Sequence, residues 1–159
     1  MRLLACAALL LACGSPALAD TYVYVSLAGE QKIAVYRLDA DQGTLTHKAD
    51  VTTDGEPGAL TTDPQRQFLF ASIRSAGKLA AFRIDPATGK LTHLNTVAAG
   101  PDPAHLATDR TGKFLLAANQ NGDSVLVFAI DPESGKLTPT GHSAKVPAPV
   151  CLRFAPKTP

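Results

Sequence analysis

Three observations predict an all-β chain built from repeated four-stranded antiparallel sheets. First, one pattern recurs at positions 38, 84 and 130, a spacing of 46 residues: Leu38-Asp39 with Gly43-Thr44-Leu45-Thr46, Ile84-Asp85 with Gly89-Lys90-Leu91-Thr92, and Ile130-Asp131 with Gly135-Lys136-Leu137-Thr138. Second, other columns keep the same period without a gap. Tyr22, Phe68 and Phe114 form one, Tyr36, Phe82 and Phe128 another, and Pro57, Pro103 and Pro149 a third, followed by Leu60, Leu106 and Leu152. Third, the apolar runs are short, turn residues separate them, and no helical periodicity competes after residue 20.

The second unit shows the expected elements in order. Ala59 to Thr62 is a short first strand, ended by a turn at Asp63-Pro64. Phe68 to Ile73 is apolar, Ser75-Ala76-Gly77 is a turn, and Lys78 to Ile84 is apolar again. Asp85-Pro86-Ala87-Thr88-Gly89 turns the chain into a last strand, Lys90 to Val97. Pro sets φ at the second turn position, Asp accepts bonds from backbone donors ahead, and Gly takes the left-handed conformation. In the third unit Asn121-Gly122 signals a tight hairpin. The third strands, such as Val125-Leu126-Val127-Phe128, are apolar on both faces and require cover on both sides. Four antiparallel strands at a period of about 40 to 50 residues mark a β-propeller, here an array of three blades. The repeat phase opens on a second strand, Tyr22 to Ser26, and closes on a first strand, Val150 to Phe154, which is expected to complete the opening blade.

Composition bounds the partners. The chain has 159 residues with 15 basic and 14 acidic side chains, and no basic stripe, which argues against nucleic acid. Residues 1–19 read as a secretory signal: Arg2, an apolar run from Leu3 to Cys13, then Ala17-Leu18-Ala19 before Asp20. A lipoprotein signal anchored at Cys13 is the rival reading. Residues 20–159 then form the three-blade domain, exported to the periplasm or beyond and with Cys151 as its one cysteine. A single cysteine makes no internal disulfide, and a small buried apolar residue is the plain reading for it.

The segments "FRIDPATGKLTHLN" (82–95), "TGKFLLAANQNGDSVLVFAIDPESGKLTPTG" (111–141) and "VPAPVCLRF" (146–154) resemble the lactonase-type seven-bladed propellers, the 6-phosphogluconolactonase-like proteins. The resemblance covers almost all of 21–156. It implies hydrolysis of a cyclic sugar ester to the open acid, with a small-molecule lactone or sugar acid as partner and no cofactor. Seven blades at this period need about 320 residues, so the chain reads as a member shortened to about three blades. Export sits poorly with a phosphorylated sugar substrate. A non-catalytic binding propeller and an inactive remnant of a shortened lactonase are the alternatives.

Propellers bind ligands at the mouth of the central channel. The loops expected there are 52–58, 98–104 and 144–149, with 27–31, 73–77 and 119–123. Lactone hydrolysis needs a base to activate water and a donor or cation for the oxyanion. His105 is one candidate base, since its repeat partners Ala59 and Cys151 show that blade packing does not dictate it. Glu56 is the other. Arg74 and Arg153 are suited to hold a carboxylate or phosphate, and Asn119 and Gln120 to hydrogen-bond a substrate. The plain readings stand beside these: a hydrogen-bonded channel histidine at His105 and an exposed hairpin charge at Arg74. His47 and His93 match in the repeat and read as structural surface residues, and no metal-ligand spacing is present. Three blades are too few to close a ring, so a homo-oligomer that completes it is expected.

Overall fold

A computed structural model describes residues 21–155. The expected signal at 1–19 lies outside the described residues. Eleven strands form three antiparallel sheets, one per blade. The first holds β1 (Thr21–Leu27), β2 (Lys32–Asp39) and β3 (Thr44–Thr52). The second holds β4 (Pro57–Thr62), β5 (Phe68–Ile73), β6 (Lys78–Ile84) and β7 (Leu91–Ala98) in that spatial order. The third holds β8 (Pro103–Thr108), β9 (Phe114–Asn119), β10 (Ser124–Ile130) and β11 (Leu137–Lys145), again in order. Each blade is thus a simple up-and-down meander, the connection that short turns impose on antiparallel strands.

The core lies between blades. One cluster joins the second and third sheets through Phe68, Phe70, Leu79, Leu106, Leu115, Phe128 and Leu137. The other joins the first and second through Ile33, Leu69, Ile73, Phe82 and Leu91. Strand β5 is buried along its whole length, because the middle blade has a neighbour on each side. Burying a ring such as Phe70 or Phe82 contributes about 2–3 kcal/mol.

The Asp-to-Gly turns connect the last two strands of each blade, β2 to β3, β6 to β7 and β10 to β11. Gly43, Gly89 and Gly135 have φ of 65°, 68° and 75°. In each turn the glycine N–H donates to the carbonyl of the leading aspartate, Asp39, Asp85 or Asp131, at 2.8 Å. The aspartate carboxylates accept the backbone N–H groups ahead. The Ala87 N–H first of all holds Asp85 below the usual carboxylate range, and the Ser134 N–H does the same for Asp131.

Two of these turns seat against an aromatic of the preceding blade. A methyl group on Gly89 would overlap the Tyr22 ring, and one on Gly135 would overlap the Phe68 ring. The Tyr22 hydroxyl donates to the Ala87 carbonyl at 2.8 Å, and the Tyr24 hydroxyl to the Gly89 carbonyl at 2.9 Å. Burial, with Tyr22 and Asp85 adding to it, pushes the Tyr24 phenol up to about 12, so it stays a donor. At the next junction Arg83 lies over the Phe68 ring, 4.9 Å from its centre, and donates to the carbonyls of Glu133 and Ser134.

The structure corrects the expectation for Val150 to Phe154, which is not a strand. A strand needs a backbone edge to pair with. Among the described residues β1 pairs only with β2, and the final segment does not reach its open edge. It lies beside β8 instead, held by a bond from the Leu152 N–H to His105 Nδ1 at 3.2 Å, with Val150 and Phe154 exposed. The hairpin expected at Asn121-Gly122 is present, with β9 paired to β10 from Asn119 and Ser124 onward, but its turn differs from a two-residue one. The chain there forms a short 3-10 turn, Gln120–Gly122, and the left-handed residue is Asp123 (φ 46°), not the glycine. Gln31 and Gly77 take that conformation after the matching turns, so blade geometry fixes the position. A Cβ on Gly122 would come within 3.2 Å of Asn119 and Pro101, so those neighbours would have to give slightly, and Glu30 and Ala76 fill the matching places in the other blades.

Seating against Tyr22 makes Gly89→Ala costlier than the roughly 1 kcal/mol that a left-handed glycine alone costs. Gly29→Ala, with negative φ and open space around it, is expected to stay within about 0.5 kcal/mol of the parent. Urea unfolding measures both, and equal effects would show that the turn does not seat on the ring.

Candidate functional site

The entrances to the inner strands carry the charged groups. Glu56 and Asp102 precede β4 and β8 at matching places in neighbouring blades. Each is tied by its carbonyl to the turn after the adjoining strand. The Arg74 N–H donates to the Glu56 carbonyl at 2.9 Å, and the Gln120 N–H to the Asp102 carbonyl at 3.0 Å. Ser75 Oγ accepts the Glu56 N–H at 3.0 Å, which fixes the backbone at the site mouth. Asp102 has φ of 53°, a left-handed conformation that aspartate tolerates better than most side chains.

Arg74 links the two blades. Its Nε donates to Asp102 Oδ1 at 2.7 Å, an ion pair across the blade junction, and this bond raises its already high pKa. The stem lies over Gly58, where a Cβ would come within 2.6 Å of Arg74 Cδ. Strands β4 and β5 slip register between Pro57 and Leu60, and β8 and β9 between Pro103 and His105. Such bulges re-aim side chains beside a site. Here the first exposes the Ala59 N–H to Ser72 Oγ at 2.8 Å, and the second turns His105 toward the chain's final segment.

The result is an open cavity of about 670 Å³ lined by Ser26, Glu56, Arg74, Ser75, Asp102 and Asn121 among others. All three blades contribute to it. The structure brings Glu56 and Arg74 together here. His105 and Arg153 line a different cavity of about 370 Å³, with Thr61 and Leu152. The Leu152 N–H can only donate, so His105 Nδ1 must accept. In the neutral ring Nε2 then carries the proton, 4.0 Å from Cys151 Sγ. This tautomer makes His105 a donor through Nε2, and its remaining lone pair is engaged.

Asn119 and Gln120 are not among the residues lining either cavity. Asn119 ends β9, is 0% exposed, and has no partner for Nδ2 or Oδ1 among the described residues. Leu27 and Ile73 end the matching strands. Asp102 and Asn121 belong to the cavity but carried no assigned role in the sequence reading. The matching of Asp102 with Glu56 across one period was the available signal. His47 and His93 pack edge-on against Tyr36 and Phe82 at 5.3 and 5.6 Å between ring centres. Among the described residues no group of His, Cys, Asp and Glu is arranged to hold a metal.

An unpaired buried amide costs about 1–3 kcal/mol. Asn119→Leu, which installs the side chain of Leu27, is therefore expected to raise the urea midpoint. A lower midpoint would show that the amide is satisfied in the folded protein.

The family model described as "Lactonase, 7-bladed beta-propeller" matches residues 17–97 and 56–154. The Pseudomonas aeruginosa periplasmic gluconolactonase superposes with a TM-score of 0.80 at 30% identity, over 85% of this chain and 39% of that one. A candidate 6-phosphogluconolactonase from Bacteroides fragilis gives a TM-score of 0.80 at 27% identity, over 85% and 39%. One from Bacteroides uniformis gives 0.80 at 24%, over 84% and 40%, and speaks to the fold alone. The chain spans about two fifths of the length of these solved relatives.

Proposed function

The chain belongs to the lactonase family of seven-bladed β-propellers, and from that premise we propose that it hydrolyses an unphosphorylated sugar lactone to the open acid. The observation that carries the reading is the cavity where Glu56, Arg74 and Asp102 meet. Two carboxylates against one guanidinium repel a phosphate group and suit a neutral lactone. The likeness to a periplasmic gluconolactonase and the signal-like residues 1–19 support the same choice, with export to the periplasm or beyond.

Glu56 is exposed, beside Arg74, and serves as the base. Its carboxylate takes a proton from water as the oxygen attacks the lactone carbonyl. The carbonyl electrons move onto oxygen, and the Arg74 guanidinium stabilises that oxyanion. Collapse breaks the ring C–O bond, and the departing alkoxide takes the proton back from Glu56. One water is consumed and one hydroxy acid leaves. Asp102 holds Arg74 in place and charged. Arg153, His105, Asn119 and Gln120 lie outside this chemistry: His105 donates through Nε2 in its own cavity, and Arg153 is available there to a sugar hydroxyl or carboxylate.

The test is turnover of glucono-δ-lactone above its spontaneous hydrolysis, followed by the acid released. Glu56→Gln and Arg74→Met should each lower kcat by about a hundredfold or more. Binding of the lactone without turnover by the parent protein would replace this reading with that of a binding propeller. Unchanged kcat in Glu56→Gln would remove Glu56 from the mechanism.

A further inference from the structure

The three-blade unit carries one half of its own junction at each end, and we propose that a second copy of the chain docks there head to tail. The junction occurs twice within the chain with the same parts. An aromatic at the start of β1 or β5, Tyr22 or Phe68, receives the glycine turn of the next blade, at Gly89 or Gly135. The leucine after that turn, Leu91 or Leu137, is buried in the same inter-blade cluster.

At the trailing end, Phe114 begins β9 at the position of Tyr22 and Phe68, and is 43% exposed. At the leading end, the turn from Asp39 to Gly43 is already formed, with the Gly43 N–H on the Asp39 carbonyl at 2.8 Å and Asp39 Oδ1 accepting from Asp41 and Gln42 at 3.0 Å. Nothing among the described residues lies within 4 Å of where a Cβ on Gly43 would stand. Leu45, the counterpart of Leu91 and Leu137, is 54% exposed. Each end thus presents the surface that the other end is shaped to cover. The Gly43 turn and the Phe114 ring are both already in place, so docking orders little new structure. A two-fold operation makes both junctions at once when each blade step widens from about one seventh of a turn, the curvature of the seven-bladed family, to about one sixth, and Phe114 of each copy then meets the Gly43 turn of its partner.

Light scattering on the full chain, over a range of concentrations, tests this. The parent should be a dimer. Phe114→Asp and Leu45→Asp, both at exposed positions, should each give a folded monomer, checked by a cooperative melt. Phe114→Tyr should remain dimeric, because Tyr22 already serves as the ring at one junction. Mixing the two aspartate variants should restore a dimer through the one junction in which both partners are intact. A parent that stays monomeric at every concentration overturns the proposal. So does a dimer that neither aspartate variant dissociates, or a mixture that fails to associate.

Discussion

The contact on which the rest depends is the seating of a glycine turn against an aromatic ring of the preceding blade. A four-stranded meander buries little by itself, since its core lies between sheets rather than within one. The angle and spacing between sheets therefore have to be fixed by groups that cross the gap. Tyr22 and Phe68 do this by resting where only a residue without a Cβ fits, and hydrogen bonds from Tyr22, Tyr24 and Arg83 to turn carbonyls hold the seat from the sides. The left-handed φ of the glycine and the close approach of the ring are separate demands: the first disfavours any other residue, and the second leaves no room for a Cβ.

The site inherits its geometry from that arrangement. With the blades held in sequence, the entrances to β4 and β8 face each other, and Arg74 spans them from one blade to Asp102 in the next. Gly58 and the bulge after Pro57 make room for the arginine stem. One period beyond Asp102, Ala148 keeps the positive φ (42° against 53°) without the carboxylate, whereas Glu56, one period before, has the carboxylate without the positive φ. The acidic pair is thus a property of two particular blades and not of the repeat.

The blade architecture was legible because its requirements recur. Strand, turn and aromatic positions are read from columns such as Tyr22, Phe68 and Phe114, where one residue type answers one packing need in each unit. Glu56 and Arg74 were expected on the same side of the blades because both fall in loops at matching strand ends, and both line one cavity. What escaped the sequence was what depends on contacts far apart in the chain. Val150 to Phe154 has the pattern of a strand, but pattern does not supply an edge to pair with. The Arg74–Asp102 pair joins residues 28 apart that only the docking of two blades brings together. Asn119 reads as a loop amide, yet the strand carries it inward to a position that Leu27 and Ile73 fill elsewhere. The bond from the Leu152 N–H to His105 Nδ1 likewise joins residues 47 apart.

The seat itself is measured most directly by a double-mutant cycle between Tyr22→Ala and Gly89→Ala, read from urea unfolding of the two single variants and the double. If ring and glycine exclude each other's alternatives, Gly89→Ala should cost much less once Tyr22 is gone, leaving only the left-handed penalty and a coupling of about 1 kcal/mol or more. Costs that simply add would contradict the account, since they would mean that the turn and the ring stabilise the protein independently.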